Sequence, residues 1–157
     1  MTVNQEPSTP RTSLRIEYAM TEQATLILKN DVLELESVIS FVSDLCVRNS
    51  IPKETERDLK LALDELITNV ATHAYPGSGE HRFTLQITVS SEEFVARIED
   101  DGVEFNPTEH PIPDLDAPLE ERKVGGLGIY LVRQIMTSVE YQRVAGKNVV
   151  TLRKKLT

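Results

Sequence analysis

One cysteine in 157 residues, Cys46, leaves nothing for an internal disulfide, and its place in an apolar run marks it as a small buried side chain, not a reactive thiol. A cytosolic, cytoplasmic protein is expected. Positive charge is also scarce: Lys+Arg 17 against Asp+Glu 25 leave a formal net charge of −8. So acidic a chain repels phosphate backbones and anionic lipid, which excludes direct nucleic-acid contact and membrane-surface binding as first readings. No apolar run reaches transmembrane length, and residues 1–11, rich in Pro, Ser, Thr and Asn, lack the hydrophobic core of a signal peptide. Neither export nor anchoring is expected. Internal repeats and low-complexity tracts are absent as well. What is present, 39% hydrophobic and 27% charged residues, is the make-up of one globular domain with a real core.

Residues 1–22 read as a polar N-terminal tail with Pro7 and Pro10, although Leu14, Ile16, Tyr18 and Met20 alternate well enough for a short strand. Residues 23–157 are expected to form the single domain. A short strand over residues 24–29 leads to an N-cap signal, Asn30 or Asp31 with Glu34, and to a helix with Leu35, Val38, Ile39, Val42 and Leu45 on one side, ending near Ser50. Pro52 suits the start of a second helix, whose Leu59, Leu63, Leu66, Val70 and Ala74 recur every three or four residues until Tyr75, Pro76 and Gly77 stop it. Strict alternation then predicts two paired antiparallel strands, residues 83–89 and 94–100, about a turn at residues 90–93. Residues 106–124 carry Pro107, Pro111, Pro113 and Pro118 amid many charges, which reads as a lid. A glycine-led helix over residues 126–136 and a final hairpin about Gly146 and Lys147 complete an α+β chain: an antiparallel or mixed sheet with helices on one face, a two-layer sandwich.

Three clusters carry chemistry. Glu65 and Asn69 stand four apart on one side of the second helix, where a carboxylate can accept a proton and an amide oxygen can ligate Mg²⁺. By themselves such residues are more often a solvated helix face, with His73 a hydrogen-bonded boundary histidine. In the second cluster, Ile98 to Pro107, alternation turns Asp100 toward the core with Phe94, Ala96 and Ile98. A carboxylate there needs backbone partners or a pocket that supplies a donor, such as an adenine amino group. The third, Gly125-Gly126-Leu127-Gly128 opening a helix, is either an anion site or a hinge for the preceding loop. No Gly-Lys-Ser/Thr follows and no first strand precedes, so neither a P-loop nor a Rossmann site fits.

Taken in order, the three resemble the Bergerat-fold (GHKL) ATP-binding domain shared by gyrase, the Hsp-ninety class of chaperone, histidine kinases and mismatch-repair ATPases, and within it the bacterial anti-sigma-factor serine kinases. That family's Glu-x-x-x-Asn-x-x-x-His-Ala-Tyr matches Glu65, Asn69, His73, Ala74 and Tyr75. Its Asp-x-Gly-x-x-Phe-x-Pro matches Asp100, Gly102, Phe105 and Pro107, and its second glycine box matches Gly126 to Arg133. Asn106 and Thr137 depart from it, each where Asp is common. The resemblance implies a Bergerat fold binding ATP and Mg²⁺, with Glu65 as the catalytic base and Asn69 as the metal ligand. It further implies nucleotide contacts from Asn69, His73, Asp100, Gly102, Phe105, Lys123, Gly125, Gly126, Leu127 and Gly128. Implied partners are an anti-sigma-factor antagonist phosphorylated on serine, a sigma factor that the domain sequesters, and a second copy in a homodimer. A non-catalytic ATP-gated binding module is the first alternative. The second is the ATP-binding domain of a histidine-kinase-type regulator, disfavoured because His73, His81 and His110 fall in the ATP-domain helix, a strand edge and the lid rather than on a dimerisation helix.

Overall fold

The computed structural model describes residues 20–116, 118 and 126–157. The strand conceivable among Leu14, Ile16 and Tyr18 lies outside these residues, as do Lys123 and Gly125. Among the described residues the order is β1 (Glu22–Lys29), α1 (Glu34–Arg48), α2 (Lys53–His73), β2 (Arg82–Val89), β3 (Glu93–Asp100), a 3₁₀ turn (Pro107–Glu109), α3 (Leu127–Ile135), β4 (Ser138–Val144) and β5 (Lys147–Lys155).

The five strands form one sheet in the order β1-β2-β3-β5-β4, and every pairing is antiparallel, which settles the mixed-or-antiparallel alternative. Side chains two apart share a face of a strand, so Phe83, Leu85, Ile87 and Val89 of β2 lie in register with Phe94, Ala96 and Ile98 of β3, and these with Val150 and Leu152 of β5. All are buried, and they share one core with Val38, Val42 and Leu45 of α1, Leu59, Leu63, Leu66 and Ile67 of α2, and Ile129 and Val132 of α3. Thr84, Gln86 and Arg97 take the alternate, less buried positions. Cys46 is buried in the same core, and burial pushes its thiol up to about 11, the behaviour of an inert packing group.

Two local expectations are corrected. Neither Asn30 nor Asp31 caps α1: the N-cap is Leu33, in helical conformation, and the Asp31 carboxylate accepts from the Leu33 N–H (2.9 Å) in a turn one step upstream. Nor is the proline-rich segment irregular from its start. Asn106 Oδ1 accepts from the Thr108 N–H and hydroxyl (3.0 and 2.7 Å), which folds Pro107–Glu109 into a 3₁₀ turn with Pro107 buried. Glycine is required at Gly126, the N-cap of α3, whose φ of +87° lies in the left-handed region.

Candidate functional site

Where the C-terminal half of α2 crosses the ends of β3 and β5, the structure encloses a pocket of about 240 Å³. Leu66 and Val70 of α2 supply one apolar wall, and Ile98 of β3 and Val150 of β5 the other. Asn69, His73, Asp100 and Asn148 bring polar atoms to it, and Val103, Glu104 and Phe105 form its rim. The spacing explains the gathering: positions 66, 69, 70 and 73 fall on one face of a helix, while 98 and 100 share one face of a strand.

Asp100 is 5% exposed. Its Oδ1 accepts from the Gly102 N–H (3.0 Å) and from Asn148 Nδ2 (2.9 Å), and Oδ2 takes neither bond. Burial pushes this carboxyl above its usual range, opposed by the Asn148 and Gly102 hydrogen bonds and by the Arg143 guanidinium. A buried acceptor facing an apolar slot is matched by a flat, weakly polar ligand that carries an N–H donor at its edge.

Sequence reasoning passed over Asn148, which holds this corner together. Only 3% exposed, it donates from Nδ2 to Asp100 Oδ1 and to the Val103 carbonyl (2.8 Å). Its Oδ1 accepts from the Tyr141 hydroxyl (2.8 Å), Arg143 Nη1 (2.9 Å) and the Phe105 N–H (3.3 Å). Arg143 Nη1 also donates to the Gly102 carbonyl (3.0 Å). The signal was available, since Asn148 is two residues before Val150 and pairs directly with Asp100. A buried amide between two core positions needs partners as much as a buried carboxylate does.

Gly102 and Gly128 are packing sites. A Cβ at Gly102 would strike the Ala74 carbonyl oxygen and lie 2.6 Å from Ala74 Cβ, where the end of α2 meets the loop after β3; the Val103 N–H closes that contact on the Ala74 carbonyl (2.8 Å). A Cβ at Gly128 would overlap the Glu65 carboxyl group and lie 2.7 Å from its Oε1. Glu65 therefore rests on the first turn of α3, and Asn69, one turn further along α2, faces the pocket. Burial, with the Asp64 charge adding to it, raises the Glu65 carboxyl above its ordinary value, which strengthens it as a base.

The sequence-predicted residues thus divide. Asn69, His73, Asp100 and Phe105 line one pocket. Gly102 sits behind Asp100, and Glu65 joins Gly128 at the start of α3. Gly126 packs on the His110 ring, its ideal Cβ 2.8 Å from Nε2, and that ring lies 5.9 Å from the Phe105 ring. Leu127 is 48% exposed. The pocket offers a place for a flat base, and the first turn of α3, which has no side-chain cap among the described residues, carries helical N–H groups of the kind that suit an anion. Among the described residues no three His, Cys, Asp or Glu side chains gather as a metal cluster, so a divalent ion here would depend on the ligand's own oxygens together with an amide such as Asn69.

The family model of the histidine kinase-like ATPase domain matches residues 28–154. The chain belongs to this family. Two curated relatives are serine kinases by name: the serine/threonine-protein kinase BtrW of Bordetella bronchiseptica is 28% identical over 131 residues, covering 79% of this chain and 92% of the relative. The serine-protein kinase RsbW of Listeria monocytogenes is 28% identical over 113 residues, covering 69% of this chain and 72% of the relative. A crystal structure of the RsbU and RsbW domains of a Mycobacterium tuberculosis protein superimposes with a TM-score of 0.62 at 12% identity over 86% of this chain. The likeness to that structure is one of fold, and this histidine kinase-like ATPase domain spans 32% of its length. No helix among the described residues is long and apolar enough to cross a membrane.

Proposed function

We propose that this protein is an ATP-dependent serine-protein kinase and anti-sigma factor, which phosphorylates a serine of an anti-sigma-factor antagonist and sequesters a sigma factor. The observation that carries the kinase reading is the pairing of a buried carboxylate, Asp100, in an apolar slot with a second carboxylate, Glu65, on the glycine-led start of α3. The partners follow the names of the relatives and the motif resemblance.

In this reading the Asp100 carboxylate accepts a hydrogen bond from the adenine amino group, and Leu66, Val70, Ile98 and Val150 cover the faces of the base. Asn69 is the protein ligand for Mg²⁺, which when bound neutralises charge on the phosphates. The N–H groups around Gly126 and Gly128 hold phosphate oxygens, and the described part of the proline-rich segment, residues 106–116, closes over them. Glu65 takes the proton of the incoming serine hydroxyl as its oxygen bonds to the γ-phosphorus and the bond to the bridging oxygen breaks. The products are phosphoserine and ADP, and Glu65 returns its proton to solvent. Burial raises its pKa, which makes its carboxylate more basic than that of an exposed glutamate.

The test joins binding to chemistry. Partners captured on the tagged protein from its native cell are incubated with labelled ATP, and phosphoserine is identified on the captured antagonist. Glu65→Gln is expected to bind ATP nearly as wild type and to transfer phosphate more slowly by about 10²–10⁴. A wild-type protein that binds ATP and its antagonist yet never labels it refutes the kinase reading and leaves an ATP-gated binding module.

A further inference from the structure

Gly128 stands in the first turn of α3, although glycine is among the poorest helix formers. Its backbone does not ask for glycine: the left-handed glycines among the described residues are Gly77, Gly79, Gly126 and Gly146. What excludes a side chain is the Glu65 carboxyl group, which supplies the three atoms nearest to the ideal Cβ position. Both backbones are held by the core, α2 through Leu63, Leu66 and Ile67 and α3 through Ile129 and Val132. The flexible Glu65 side chain is therefore the part that must yield when position 128 gains a methyl group.

We propose that Gly128 is a positioning residue for Glu65, its missing side chain forming the seat that holds the carboxylate on the first turn of α3. This deepens the kinase reading and rests on it for the catalytic consequence alone. The seat gives the carboxyl group van der Waals support from the first turn of α3, and the desolvation it imposes agrees with the raised pKa of Glu65. It also separates two reasons for glycine that a glycine-rich helix start confounds: close approach of phosphate, and room for a carboxylate from the neighbouring helix. The first acts on nucleotide affinity and the second on the chemical step.

The decisive variants are Gly128→Ala, Glu65→Asp and the double variant, each made in the full chain. Calorimetry with Mg-ATP is expected to find the affinity of Gly128→Ala falling far less than its rate, because the backbone N–H at position 128 is retained, while phosphoserine formation on the captured antagonist at saturating ATP falls by about 10²–10⁴, toward the Glu65→Gln level. Aspartate is one methylene shorter and leaves the seat empty, so Gly128→Ala should cost little further rate when added to Glu65→Asp, a strong departure from additivity. A nucleotide-free crystal structure of Gly128→Ala should show α3 in place and Glu65 in another rotamer. Affinity falling in step with rate, or an equal loss from Gly128→Ala in both backgrounds, would overturn the proposal in favour of phosphate approach. So would a crystal structure with the carboxylate unmoved. If wild type transfers no phosphate at all, the kinase reading fails, and the crystal structure still decides whether Gly128 seats Glu65.

Discussion

Replacing Asp100 by asparagine should separate folding from nucleotide binding in opposite directions. The substitution keeps the shape and Oδ1, so the bonds from the Gly102 N–H (3.0 Å) and from Asn148 Nδ2 (2.9 Å) can persist. It replaces Oδ2, the atom free of both bonds, with an amide donor. In the folded protein burial raises the Asp100 pKa, so the native state binds this proton more tightly than the unfolded chain. Such a group favours folding below its unfolded pKa, and that contribution is lost as pH rises through the folded value. The charged form of the carboxylate therefore weighs against the fold, and Asp100→Asn removes that burden. Thermal unfolding at pH 7 should accordingly show a melting temperature equal to or above that of wild type. ATP binding should move the other way, because loss of a charged acceptor in a buried site costs about 1.5–3 kcal/mol, roughly a 10–150-fold weaker Kd. Calorimetry and a melting curve on one preparation measure both. Equal ATP affinity in wild type and variant refutes the assignment of Asp100 to the ligand. A weaker affinity matched by a lower melting temperature would make Asp100 a fold residue whose loss damages the pocket indirectly.

Asn69→Ala removes the proposed metal ligand, so calorimetry should show weaker ATP binding with Mg²⁺ present and little change with EDTA. Asn148→Ala takes partners from Asp100, Val103, Phe105, Tyr141 and Arg143; the buried bond to Asp100 alone is worth about 1.5–3 kcal/mol, and urea unfolding should show at least that loss with an unchanged slope. Glu56 is 4% exposed between Lys53 (2.7 Å) and Lys60 (2.6 Å), whose hydrogen bonds hold its carboxyl down at about 2, so it stabilises the fold above its unfolded pKa and loses that effect as pH falls from about 4.5 toward 2. Unfolding free energy measured against pH should fall less steeply in that window for Glu56→Gln. Hydrogen exchange over residues 110–116, which include Ile112 at 69% exposure, should slow when Mg-ATP is added; an unchanged pattern at saturating nucleotide removes the lid role.

The residues best foreseen from sequence are those whose environment is set by local period. Counting by twos from Phe94 is enough to turn Asp100 inward, and counting by three and four along α2 places Leu59, Leu63, Leu66 and Asn69 on adjoining faces. The same count backward from Leu152 and Val150 reaches Asn148, but its neighbours Gly146 and Lys147 make it look like a turn residue. The 3₁₀ turn at Pro107–Glu109 was hidden for a different reason: its prolines suggest irregular chain, while the side-chain cap from Asn106 and the burial of Pro107 supply order. Least legible was the seat of Glu65. It depends on how closely two helices more than fifty residues apart in sequence approach, and no spacing within either helix encodes that distance.

The β4–β5 hairpin has the outward marks of a freely variable surface loop. Its two-residue turn, Ala145-Gly146, has both φ values positive (50° and 78°), the form that fits the twist of paired strands. Yet its length is frozen. A single inserted residue that slipped β5 by one place would carry Asn148, Val150 and Leu152 to the opposite face together, and the pocket would lose its hub and a wall in one event. Its composition is open by comparison: Gly146 has nothing near its Cβ position, and asparagine or glycine at Ala145 would relieve a left-handed backbone. For anyone placing a fluorophore, tag or permuted terminus in this protein, the loop at Gly77 to Gly79 is the safer splice point. Gly77 also stands in open space, and an added residue there lengthens the connection between α2 and β2 without resetting the pairing that orients Asp100.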